Sequence, residues 1–194
     1  MTEKEKMLAL FDPALLSPKF KALCEHCFDN GMEICQGFEM YSDQADALQY
    51  FLPAEKLAKH KNDFVIIGQA THSGSLYAFY KAGGKTQDEW PVVVFGDEGG
   101  ALVLAKDMGD FLRFLSLNVE PYVGSDYETN TNKFDLYLSE EVEEESPLQD
   151  YIEWIEGSYK LNRVTSIEQA NKEIIKPAQQ LYQAKLDLIV KATE

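Results

Sequence analysis

No apolar run in this chain approaches the roughly 18 residues that a membrane-crossing helix requires, so no transmembrane anchor is expected. The opening MTEKEKMLAL lacks a basic segment ahead of an apolar one, and a secretory signal is not expected either. Cysteine is scarce. The three residues Cys24, Cys27 and Cys35 are an odd number near the N-terminus, compose no disulfide framework, and point to a reducing cytoplasm. Positive charge is short as well: 18 Lys and Arg against 33 Asp and Glu leave a formal charge of −15. Such a field repels a phosphate backbone and favours cationic partners, which disfavours nucleic-acid binding. No internal repeat with the roughly 20–50-residue period of a solenoid or propeller is visible.

What is present is a folding chain. With 194 residues, 45% of them hydrophobic, and 11 Phe and 10 Tyr, the sequence is long and apolar enough to bury a substantial core, and is expected to form a single domain over 1–194. The stretch Phe64 to Leu117 organises it. Phe64 to Ile67 is a continuous apolar run closed by Gly68, as a strand buried on both faces requires. SLYAFYK alternates Leu76, Ala78 and Tyr80 against Tyr77 and Phe79, with apolar residues on both faces. PVVVFG supplies another doubly buried strand, and ALVLA pairs back across the turn Asp97-Glu98-Gly99-Gly100. The glycine-rich AGGKTQDEW connection between these runs is expected to project to solvent. Lys106-Asp107 then caps a helix with Met108, Phe111, Leu112, Phe114 and Leu115 along a broad apolar stripe.

The flanks read mainly as helix. Residues 3 to 10 suit a short helix, and Ser17-Pro18 caps a longer one in which Phe20, Leu23, Cys24, Cys27 and Phe28 face inward while Glu25 and His26 mostly face out. EICQGFEMYS has strand-like residues around a glycine; DQADALQYFLP reads as a short helix capped near Ser42 or Asp43, and AEKLAKHKN as a further turn or two. Residues 118 to 134 read largely as polar loop, with FDLYL as an edge strand. Ser146-Pro147 caps PLQDYIEWIEGS with Leu148, Tyr151, Ile152 and Ile155 inward. A last helix starts near Ser166, and Pro177 should kink or restart it. The expected fold class is α+β: a mixed, largely antiparallel sheet wrapped by helices, with core sheet and helix at about 63–117 and a helical C-terminal extension at about 146–194.

Four constellations invite a chemical role. Cys24, His26, Cys27 and Cys35 offer soft ligands, but on a continuous helix His26 points away from both helical cysteines, so buried thiols are the expectation rather than zinc. Thr71-His72-Ser73-Gly74 lies in a turn, yet adjacent Ser and His do not readily form the activating hydrogen bond and no G-x-S-x-G elbow is present. Gly83-Gly84-Lys85-Thr86 lacks the earlier glycine of a phosphate loop. Asp97 and Glu98 suit a tight turn as well as they suit a cation. No catalytic residue, cofactor or metal is therefore assigned.

Charge is clustered further on. From Asp135 to Tyr159 there is no Lys or Arg, while Asp135, Glu140, Glu141, Glu143, Glu144, Glu145, Asp150, Glu153 and Glu156 are acidic. All of these up to Glu153 are assigned to partner binding, against the alternative of a merely solvated face. Loop 118 to 134 stays open as the contact instead.

Residues Gly68 through Leu115 resemble the core of the SUKH superfamily. The features are Gly68 closing an apolar strand, Gly74 before S-L-Y-A-F, PVVVF followed by Asp97-Glu98-Gly99-Gly100, and the helix opening A-K-D-M-G-D-F-L-R-F-L. Leu52-Pro53 is the nearest counterpart of the family's leucine-proline entry. The resemblance implies a mixed sheet wrapped by helices, no catalytic activity, and binding of a toxin domain so as to block it. The expected function is a non-enzymatic cytoplasmic immunity protein whose partner is a cognate protein toxin, a cationic nuclease or deaminase domain. The other readings are a general scaffold or regulatory module without a toxin, and an enzyme or metal protein using His72, Asp97 and Glu98 or the cysteines.

Overall fold

Strands that are apolar on both faces must be covered twice, and the chain meets that demand with a sheet held between two layers. The computed structural model describes residues 1–30, 33–40, 47–82, 84, 86–126, 131–138 and 147–191. Among them the main sheet has six strands in sequence order, each antiparallel to its neighbour: β1 (Glu33–Cys35), β2 (Phe38–Met40), β3 (Phe64–Gln69), β4 (Leu76–Tyr80), β5 (Val92–Phe95) and β6 (Ala101–Ala105). The fold class is α+β, with the pairing of this sheet antiparallel throughout. The one parallel pairing among the described residues is an isolated bridge between Glu98 and Gly124.

One face of the sheet carries Val65, Ile67, Tyr77, Phe79, Val94 and Leu104. It is covered by α1 (Glu3–Ala9), α2 (Pro18–Asp29), α4 (Met108–Leu115) and α5 (Pro147–Tyr159). Phe20 meets Phe11 and Phe79 edge to face at centroid distances of 4.9 and 5.0 Å. Each such ring contributes about 1.5–3 kcal/mol through burial, and each ring pair about 0.5–1.5 kcal/mol beyond it. The opposite face carries Phe64, Ile66, Ala78, Tyr80, Val93 and Phe95, covered by Leu57 of α3 (Ala54–His60) and by Ala178, Leu186 and Ile189 of the C-terminal helix.

The expected helix starts are in place. Ser17 Oγ accepts from Phe20 N–H at 3.0 Å with Pro18 in the first position, and Asp107 Oδ1 accepts from Asp110 N–H at 2.8 Å. The caps expected near Ser42 or Asp43 and at Ser146 lie outside the described residues; Ala47–Tyr50 forms a 3-10 turn. The last helix begins at Ser166 as α6 (Ile167–Ala170), widens into a π-helical turn at Asn171–Ile175, and continues as α7 (Lys176–Val190). Pro177 has no N–H to donate. The ladder absorbs it by widening just before it, where Lys176 N–H reaches back to the Asn171 carbonyl.

Three expectations need correction. The β4–β5 connection does not project to solvent throughout: Gly84, Thr86 and Glu89 are exposed, but Gln87 is fully buried, its Oε1 accepts from Ser17 N–H at 3.0 Å, and Asp88 accepts from Ser17 Oγ. A helix start with unpaired N–H groups is a strong attractor for such acceptors. His26 does not face away; it is half-buried and stacks on Trp154 at 4.8 Å. The stretch from 118 is not mostly loop: β7 (Val119–Asp126) and β8 (Thr131–Leu138) form a separate antiparallel hairpin.

That hairpin lies against the first face of the sheet, with Val119, Val123 and Leu136 in the core. Two glycines permit the approach. A Cβ on Gly37, in the β1–β2 turn, or on Gly96, at the end of β5, would stand 1.8 Å from the carbonyl oxygen of Val119 or Val123 respectively. No larger residue fits at either place. Among the described residues no helix is long and apolar enough to cross a membrane.

Candidate functional site

Period-two alternation leaves the hairpin with a second face. The register pairs Glu120 with Tyr137 and Tyr122 with Asp135, while Val119, Pro121 and Val123 alternate to the other side. Tyr137 is 54% exposed, Asp135 is exposed, and Tyr122 and Glu120 are partly exposed. The tyrosine rings meet edge to face at 6.1 Å. Two aromatic rings and two carboxylates thus share one outward surface.

Two turns of the main sheet frame it. In the β5–β6 turn, Gly99 and Gly100 adopt φ of 89° and 80°, and Glu98 accepts a hydrogen bond from Tyr122 Oη at 2.7 Å. The Glu98 carboxylate so placed holds the Tyr122 hydroxyl above the usual tyrosine range. In the β3–β4 turn, His72 reaches Glu120 at 3.0 Å with its side chain 83% exposed. Asp97 Oδ1 accepts from Ser75 Oγ at 2.6 Å, which ties the two turns together. Asp97, Glu98 and His72 are therefore turn residues that also border the hairpin face.

The acidic residues singled out in the sequence fall in three places. Asp135 is on the hairpin's outer face, and Leu136 N–H donates to its Oδ1 at 2.8 Å. Asp150 and Glu153 lie on the exposed side of α5, where Gln149 Nε2 donates to Glu153 Oε1 at 2.9 Å. Glu140, Glu141, Glu143, Glu144 and Glu145 lie outside the described residues. Glu120, Tyr122 and Tyr137 were missed in the sequence, although the alternation of Glu120 with Tyr122 and of Asp135 with Tyr137 is the pattern that marks one strand face.

The cysteines sit in the core. Cys24, Cys27 and Cys35 are buried, and burial pushes the Cys24 thiol up to about 12 and Cys27 well above the usual range. Among the described residues no group of three or more His, Cys, Asp or Glu side chains is placed to hold a metal ion. Burial also lowers His26, against the opposing pull of the Asp150 and Asp29 carboxylates. Tyr151 Oη donates to the Leu112 carbonyl at 2.8 Å, which pins α5 to α4.

No family model, curated protein or solved structure matches this chain.

Proposed function

We propose that this chain is a non-enzymatic cytoplasmic binding protein of SUKH type, an immunity protein that neutralises a cognate bacterial toxin domain by protein–protein contact. The observation that carries this reading is the hairpin's outer face, where Tyr122 and Tyr137 stand among Glu120, Asp135 and Glu98. Exposed tyrosines supply rigid contact area at low entropic cost, and such rings dominate interface hot spots. Carboxylates around them suit a cationic partner such as a nuclease or deaminase domain, whose own substrate is a polyanion. Asp150 and Glu153 are exposed on α5, and Glu140, Glu141, Glu143, Glu144 and Glu145, which lie between β8 and α5 in the sequence, add to the negative charge of the chain. Further support is the meander β3 to β6 followed by the capped α4, which is the layout expected over the resembling residues.

The test is co-expression with the product of the neighbouring reading frame, scored for rescue of growth and for co-purification. Rescue together with a stable complex is the expected result, and neither effect in the presence of an expressed, active neighbour removes the reading. Affinity should fall as salt rises. Changing Glu141, Glu143, Glu144 and Glu145 to Gln should slow association at low salt by about tenfold or more. Unaltered association would confine the contact to the tyrosine face.

A further inference from the structure

The opposite side of the β3–β4 and β5–β6 turns holds a cleft of about 370 Å³ that the hairpin face does not use. Its apolar wall is Phe51 and Leu76. Phe51 is fixed in place by packing on Phe95 at a centroid distance of 5.5 Å, and Leu76 is 7% exposed. Tyr50 stands at the lip, 81% exposed, an unusual position for a large ring. The polar end holds acceptors. Gln69 donates one of its two amide N–H groups to the Thr71 carbonyl at 2.8 Å and has Oε1 as an acceptor, and Asp97 uses Oδ1 for Ser75 and has Oδ2 besides. Gly74, with φ of 115° and, among the described residues, nothing within 4 Å of where a Cβ would be, leaves the entrance open.

We infer that this cleft receives the side chain of an arginine carried by a partner protein. Its parts match that group one by one. An apolar wall suits the methylene stem, an exposed tyrosine ring suits the face of a guanidinium, and a carboxylate beside an amide carbonyl accepts its planar fork of N–H donors. A neutral apolar ligand brings no donor to Asp97 Oδ2 or Gln69 Oε1, and an anion meets repulsion from Asp97. The inference deepens the proposed function, on which it rests for the partner: the acidic turn Asp97-Glu98 would be gripped from both sides, by an arginine in the cleft and by contacts on Tyr122 and Tyr137.

The experiment uses Nα-acetyl-arginine methylamide as the probe, titrated into isotope-labelled full-length protein and followed by amide chemical shifts, with the norleucine analogue in parallel. The expected result is saturable shifts at Tyr50, Gly74, Leu76 and Asp97 with a Kd on the order of 1–10 mM, as one side chain of this size allows. Asp97→Asn, which keeps the Ser75 contact, and Tyr50→Ala, at an exposed site, should each weaken probe binding at least fivefold while leaving the unfolding transition in place. Norleucine binding within threefold of arginine, no saturable shifts, or shifts confined to other residues would overturn the inference. The two readings fail separately. A partner that binds equally to wild type and Asp97→Asn removes the cleft from the interface and leaves the immunity reading standing. Failed rescue with saturable arginine binding removes the toxin partner and leaves the cleft.

Discussion

The main sheet and the β7–β8 hairpin are both antiparallel, yet they are opposite in use. Strands β4, β5 and β6 are buried at every position, whereas the hairpin buries Val119, Val123 and Leu136 and turns Glu120, Tyr122, Asp135 and Tyr137 outward. In the main sheet even a tyrosine, Tyr77, is fully buried. The difference teaches where recognition can evolve in this fold. A residue covered on both sides answers only to its neighbours, while an outward strand face can change without cost to the core.

The largest test of that contrast is in the sheet. Phe79→Ala, which removes a ring in contact with Phe11, Phe20 and Trp90, should cost about 3–5 kcal/mol in urea-denaturation midpoint analysis. A smaller loss would show the core able to collapse around the space. Next comes the joint between the two regions. Gly96→Ala places a methyl group against the Val123 carbonyl and should cost about 1–3 kcal/mol, with amide-exchange protection lost in β7 and β8 before β4 and β5. Equal loss in both would make hairpin and sheet one cooperative unit.

Tyr137→Ala, by contrast, should change stability by no more than about 0.5 kcal/mol while weakening partner binding. Unfolding of this variant would sink the division into a core face and a free face. The smallest effect is a titration. Since Glu98 holds the Tyr122 hydroxyl above its ordinary value, the bond contributes fully below the unfolded tyrosine pKa of about 10. It is lost as pH rises through the raised folded value. Glu98→Gln should therefore bring the Tyr122 absorbance titration down toward the ordinary range, and no change would mean that the carboxylate is not what holds the proton.

The legibility of the chain follows the same line. The runs Phe64 to Ile67, Val92 to Phe95 and Ala101 to Ala105 are strands because only a doubly covered sheet can use unbroken apolar residues, and Ser17, Asp107 and Ser166 start helices because the first N–H groups need acceptors. Strand β7 was harder to see. Pro121 and Gly124 argue locally against a strand, and pairing with β8 and burial of Val119 and Val123 override them. The proposed partner surface was legible only as charge. Asp135, Asp150 and Glu153 are exposed, but the rings beside Asp135 were not anticipated, since an outward Tyr and an inward Tyr are the same letter.

What the sequence by itself determined is local and one-dimensional: the apolar runs, the caps, the turn glycines and the excess of negative charge, each set by neighbours within a few positions. Which glycines would admit a crossing strand, which N–H Gln87 would accept from, and that Glu98 would meet Tyr122 and Glu120 would meet His72 were decided only by the tertiary structure. Those contacts join residues far apart in the chain, and their partners are fixed only after both faces of the sheet have been covered.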